Sequence, residues 1–157
     1  MIRSFIISFI VLVTFSSCLK GEAECNYDSC GVKAPPSEIQ AVRDYLAAQG
    51  ITNAIEHCSG LLYVIDNAGS GKKPNACSGV TVHYKGQLTN GNVFDERDYG
   101  FYLTSVILGW RNGIPLIKSG GKIRLYVPPS LGYGNQSNGS IPANSILIFT
   151  VDLNSVE

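Results

Sequence analysis

The chain has 157 residues, no formal net charge and 45% hydrophobic content, enough for one domain and a tail but short of two full domains. Without a basic face to attract phosphate, the balance argues against a nucleic-acid role. The 17 Gly, 8 Tyr and 6 Phe, together with many Val, Ile and Thr, favour strands joined by tight turns.

At the N-terminus Arg3 precedes the apolar run 5–15 (FIISFIVLVTF), and Ser16 and Ser17 precede Cys18. A positive residue, a short apolar stretch and a small-residue end make a targeting segment over 1–17, and the run falls short of the roughly 20 residues a spanning helix needs. The small-small-Cys ending resembles the lipobox of bacterial lipoproteins, with Phe15 where that pattern usually has Leu. The resemblance implies lipid attachment at Cys18, anchoring to a bacterial membrane, and an outer-membrane position facing the periplasm or the cell surface. Two acyl chains suffice for stable anchoring. Setting Cys18 aside leaves Cys25, Cys30, Cys58 and Cys77, an even set in an exported chain. Two disulfides are expected, and Cys25 to Cys30 with Cys58 to Cys77 is the preferred of three pairings. The spacings, and those of His57 and His83, do not fit a zinc site. No CxxC is present to suggest a thiol oxidoreductase.

Residues 18–36 read as a tether. Pro35 and Pro36 then set up a helix in which Ser37 and Gln40 form a capping box, Ile39, Val42, Leu46 and Ala47 make an apolar stripe, and Gly50 ends the run. Such a stripe is expected to cover a sheet edge or core, and this helix with its connection occupies 37–59. From Gly60 the period becomes two. Strands are predicted over 61–65, 80–88, from Val93 onward, 122–127 and 146–153, with Asn90-Gly91 as a type I′ hairpin turn. A short helix is expected to follow 106–110 (VILGW) and end near Ile117, and the Gly/Pro-rich segment 128–142 is a loop. The predicted fold class is α+β, a mostly antiparallel sheet with one short central helix over 60–157.

Read in order, VHYKG (82–86), NGNVFD (90–95), VILGW (106–110), VPPSLGYG (127–134) and IPANSILIFTVDL (141–153) resemble the FKBP-type peptidyl-prolyl cis-trans isomerases. The resemblance implies a twisted antiparallel sheet wrapped around one short helix, with a proline pocket between them. Carried over position by position, it assigns catalytic roles to Tyr84, Phe94, Asp95, Trp110, Tyr133 and Phe149, and substrate binding to Val106, Ile107, Ile141 and Tyr99. Trp110 is the pocket floor, Tyr133 the flap tyrosine that donates to a substrate carbonyl, and Ile107 the source of a backbone N–H. Arg97 is the candidate brace for Asp95. This chain departs from the family at Ser105, where a glutamate is usual, and at Ser137, where some members carry histidine.

The resemblance further implies Xaa-Pro polypeptides as substrates, macrolides such as rapamycin as inhibitors, a monomer, and no cofactor or metal. The flap 134–141 is too short to hold the inserted domain that gives some members chaperone activity. A non-catalytic proline-peptide-binding or structural module on the same fold is the alternative reading. Each aromatic could also be plain core, and Asp95 could be a surface-turn residue, although an unpaired carboxylate inside an apolar constellation would be costly.

Overall fold

A computed structural model describes residues 25–157. The expected signal segment 1–17, the lipid-attachment residue Cys18 and the start of the tether lie outside the described residues.

Six strands form one antiparallel sheet: β1 (Ile55–Glu56), β2 (Leu62–Asn67), β3 (Gly79–Leu88), β4 (Val93–Tyr102), β5 (Gly121–Val127) and β6 (Leu147–Val156), in spatial order β1-β2-β5-β6-β3-β4. The two-residue β1 was not anticipated, because so short a segment carries no periodicity. Helix α1 (Pro36–Ala48) precedes the sheet, and α2 (Leu108–Gly113), continued by a 3-10 turn at Ile114–Leu116, lies between β4 and β5.

Alternation along β5 explains how both helices are used. Leu125 and Val127 face α2, whose Gly109 and Gly113 sit so close that an added Cβ would lie 2.5 Å from Val127 Cγ1 or from Leu125 Cδ2. Glycines four residues apart share one helix face, so this pair lets the α2 backbone lie flat on the sheet. Tyr126 points to the opposite face of the sheet, where its ring lies 6.5 Å from that of Tyr45 on α1. Ile39, Val42 and Leu46 are buried there in the common core, whereas Ala47 stays exposed. Three of the four stripe residues of α1, Ile39, Val42 and Leu46, thus pack into the core, and Ala47 does not.

The predicted capping box does not form. The helix begins at Pro36 with Pro35 as N-cap, and no side chain caps it. Ser37 therefore falls inside the first turn, where its hydroxyl is past the N-cap position. Gly50, at φ 68°, closes the other end and donates its N–H to Ala47 O.

The turn at Asn90-Gly91 also differs from the expected type I′. Only Gly91 has positive φ, at 87°, and its N–H bonds Leu88 O while the Leu88 N–H bonds Asn92 O. This is a type I turn closed by a left-handed glycine, the usual three-residue hairpin loop. Just beyond it the register slips: Gln87 pairs with Val93 and Gly86 with Asp95, leaving Phe94 as an unpaired bulge residue.

The cysteines pair as Cys25–Cys77 and Cys30–Cys58, which corrects the preferred pairing of neighbours. Residues 25–34 are a strap laid over the domain, and each cysteine meets the body rather than its neighbour. Asp28 turns the strap, accepting from Cys30 N–H and Gly31 N–H. Buried Ala34 donates its N–H to Ser59 O, bringing Cys30 beside Cys58.

Candidate functional site

A cavity of about 460 Å³ opens between α2, β3, β4, β6 and the loop before β6. Every residue assigned a catalytic or substrate-binding role from sequence lines it: Tyr84, Phe94, Asp95, Tyr99, Val106, Ile107, Trp110, Tyr133, Ile141 and Phe149. Arg97, Ser105 and the flap residues Asn138, Gly139 and Ser140 complete the lining. The flap reaches the cavity through these three rather than through Ser137.

Trp110, 5% exposed, is the centre of an aromatic cluster. Its ring lies 4.8 Å from Tyr84 and 5.1 Å from Phe149, both edge to face, and Phe94 meets Phe149 in the same way at 5.6 Å. Pairs of this geometry each contribute about 0.5–1.5 kcal/mol beyond area burial, so the floor is held rigidly. The indole Nε1 is buried without a hydrogen-bond partner among the described residues.

The bulge at Phe94 is what allows two consecutive residues, one ring and one carboxylate, to face the same cavity. Beyond it ordinary alternation resumes, so Asp95, Arg97, Tyr99 and Phe101 share one face of β4. Opposite Phe94, Gly86 leaves the necessary space: a Cβ there would fall 2.4 Å from Phe94 Cε2.

The polar wall is a three-residue network. Tyr84 donates its hydroxyl to Asp95, Arg97 Nε donates to Tyr84 Oη at 3.1 Å, and Arg97 Nε lies 3.4 Å from Asp95 Oδ2. Asp95 is therefore paired, not a free surface-turn carboxylate. Burial raises the Tyr84 pKa, its hydrogen bond to Asp95 raises it further, and Arg97 opposes both. The phenol stays protonated at neutral pH and keeps its donor role. The Arg97 guanidinium also lies 4.7 Å from the Tyr99 ring centroid.

On the rim, Tyr133 is 39% exposed and Tyr99 45%, while Ile141 is 6% exposed beneath the flap. The flap is shaped by mutual backbone bonds between Asn138 and Ile141, by Asn144 N–H to Gly134 O at 2.8 Å, and by positive φ at Gly134, Gly139 and Asn144. At the start of α2 the Ile107 carbonyl accepts the first helical bonds, from Trp110 and Arg111. The Ile107 N–H has no internal partner among the described residues, as the orphan donors of a helix start commonly do not. Ser105 bonds back to Tyr102 O at 2.8 Å, so its hydroxyl is spent locally.

Sequence reasoning missed Phe101, whose ring lies 5.2 Å from Trp110 and 5.3 Å from Tyr99. The period of two from Asp95 through Arg97 and Tyr99 was the signal that could have found it.

Comparison with known proteins places this geometry. The model for "FKBP-type peptidyl-prolyl cis-trans isomerase" matches residues 70–154. The isomerase FkpA of Buchnera aphidicola subsp. Schizaphis graminum is 50% identical over 101 residues, covering 60% of this chain and 40% of the relative. The crystal structure of FkpA from Escherichia coli superposes with a TM-score of 0.70 at 35% identity, over 77% of this chain and 60% of that one. A peptidyl-prolyl cis-trans isomerase structure from Pseudomonas syringae gives a TM-score of 0.68 at 32% identity, over 81% of this chain and 99% of that one. The chain spans about two fifths of the length of the curated relatives it matches. From the matched region and the six-stranded sheet closed on α2, the chain belongs to the FKBP-type peptidyl-prolyl cis-trans isomerase family.

Proposed function

We propose that this domain accelerates cis-trans rotation about Xaa-Pro bonds in exported polypeptides and so assists their folding. The observation that carries the reading is the convergence, in one aromatic-floored cavity, of all the residues that match the family's pocket.

The chemistry needs no nucleophile. The barrier of roughly 18–20 kcal/mol arises from partial double-bond character of the amide. When the bond twists, that resonance is lost and the amide becomes less polar than in the ground state. A site that replaces water by ring faces therefore favours the twisted form over the planar one, which is differential binding. Trp110, Phe94 and Phe149 hold the pyrrolidine ring. Tyr133 and the Ile107 N–H donate to substrate carbonyls, and Val106, Ile141 and Tyr99 enclose the flanking residues. Tyr84, Asp95 and Arg97 form the polar wall. Each tenfold gain in rate corresponds to about 1.4 kcal/mol of such preference.

The sequence pattern around Cys18 supports a lipid anchor that tethers the domain to a bacterial membrane, with the outer membrane the preferred location. Two disulfides support an oxidising compartment such as the periplasm or cell surface. The domain works as a monomer, and macrolides compete for its cavity. A protease-coupled or direct-exchange assay of the purified full chain on an Xaa-Pro peptide tests the central claim. Catalysis sustains it; peptide binding without rate enhancement overturns it in favour of a non-catalytic module.

A further inference from the structure

We propose that Tyr27 is a positioning residue for the isomerase site, holding α2 from behind so that Trp110 keeps its place as the cavity floor. The inference rests on the isomerase reading above. The family match covers residues 70–154, so the strap carrying Tyr27 lies outside the matched region.

Helix α2 has six residues and no side-chain cap at its start. A helix this short has little stability of its own, and its orientation is set by what packs on it. Gly109 and Gly113 fix it to the sheet on one side. Residues two apart on a helix are separated by about 200° around the axis, so Asn112 leaves α2 on nearly the opposite side from Trp110. The strap bears on that rear side. Tyr27 donates its hydroxyl to Asn112 Oδ1 at 2.7 Å, and Asn112 is only 4% exposed. The neighbouring Arg111 stacks its guanidinium 3.7 Å from the Tyr27 ring centroid and donates Nε–H to Ala76 O at 3.1 Å. Next to Ala76, Cys77 is bonded to Cys25, two residues from Tyr27.

The two residues directly after Trp110 are thus both gripped by one tyrosine, and that tyrosine is fixed by a covalent link to the segment Arg111 also holds. A strap needed only to cover apolar surface would not require a phenol aimed at a buried amide. Loss of the hydroxyl leaves Asn112 Oδ1 without this donor, frees the end of α2, and lets the indole shift.

The test uses the full oxidised chain and Tyr27→Phe, which keeps the ring for Arg111 and removes only the hydroxyl. Trp110 is the sole tryptophan, so its fluorescence reads the floor directly. Tyr27→Phe is expected to lower kcat/KM roughly three- to tenfold, the range one neutral hydrogen bond commands. It should also shift Trp110 emission and increase its quenching by acrylamide. Combined with Asn112→Ala, the losses in kcat/KM should be non-additive. Leu46→Ala, on the other face of the sheet, should lower Tm while leaving Trp110 emission, and kcat/KM well below Tm, as in the parent.

Parent-like kcat/KM in Tyr27→Phe overturns the proposal, as does a loss of kcat/KM with unchanged Trp110 emission and quenching. Should the parent itself lack isomerase activity, the functional reading fails separately. The Trp110 comparison then still decides the positioning claim: altered signals sustain it and unaltered ones overturn it.

Discussion

Asp95 is the residue at which packing and chemistry are hardest to separate. Its carboxylate accepts from Tyr84 and pairs with Arg97, so Asp95→Ala leaves the phenol of a buried tyrosine and a guanidinium without their partner. Losing a charged acceptor costs about 1.5–3 kcal/mol, and kcat/KM on an Xaa-Pro peptide should fall on the order of tenfold or more. Phe94→Ala should lower turnover through loss of the ring wall. Far-UV circular dichroism should be unchanged in both variants; parent-like rates in both would remove this cavity as the site. Gly86→Ala should act on Phe94 indirectly, since its Cβ would displace the ring edge. We expect weaker activity with a perturbed aromatic near-UV spectrum. The cavity-lining residues assigned from sequence, other than Tyr99, were legible because each occurs in a short ordered motif. Phe101 was not, because no motif contains it and only its alternation with Tyr99 marks it. Arg97 became unambiguous only when the backbone showed Asp95 and Arg97 on one face of β4.

Among elements, strands β2 to β6 and α1 were readable from period, turn residues and proline placement, whereas α2 begins at Leu108, inside VILGW rather than after it, and ends at Gly113, with the stretch up to Leu116 a 3-10 turn. What sequence could not supply was local turn geometry. Asn90-Gly91 has the composition of a type I′ turn, but an extra loop residue and a bulge satisfy the same pairing with only one left-handed position. Similarly, Ser37 and Gln40 have capping-box spacing, yet the prolines start the helix two residues earlier, with Pro35 rather than Ser37 as N-cap. The contact between α2 and β5 rests on Gly109 and Gly113, both inside or just past the VILGW motif. Gly113→Ala would force a Cβ against Leu125 Cδ2 and Leu125 Cδ1, at 2.5 and 3.0 Å, on a face with no slack. Overpacking of this kind costs typically about 1–3 kcal/mol. Thermal unfolding of Gly113→Ala should show a lower Tm, and Trp110 emission should move with it as the helix lifts from the sheet.

For the molecule as a whole, proton linkage sets the alkaline limit. Burial raises the pKa of Tyr27, Tyr84 and Tyr126 above the ordinary 10.0. As pH rises through about 10 the unfolded chain loses these phenolic protons while the folded chain retains them, so the unfolded state binds fewer protons and stability falls. The contribution is complete below 10 and disappears as pH passes the folded values. At the acid end burial lowers the pKa of His57, so its contribution is present above about 6.5 and is lost as pH falls through the folded value. Denaturant midpoints measured between pH 5 and 11 should therefore decline at both ends. The disulfide pairing was the large-scale feature least accessible from sequence, because four cysteines allow three connectivities and only the path of the strap chooses among them. The outer bridge joins residues 52 apart, a loop whose closure is worth about 4 kcal/mol in the chain-entropy account. Removing it as Cys25→Ser with Cys77→Ser should lower the unfolding free energy by several kcal/mol, read as a reduced urea midpoint.

Because the inner bridge lies wholly within the outer one, hydrolysis of any peptide bond between Cys25 and Cys77 leaves both products in one covalent molecule. A protease that nicks the connection ahead of β3 would thus release nothing from the oxidised protein. The damage would be visible on a gel only after thiols were added.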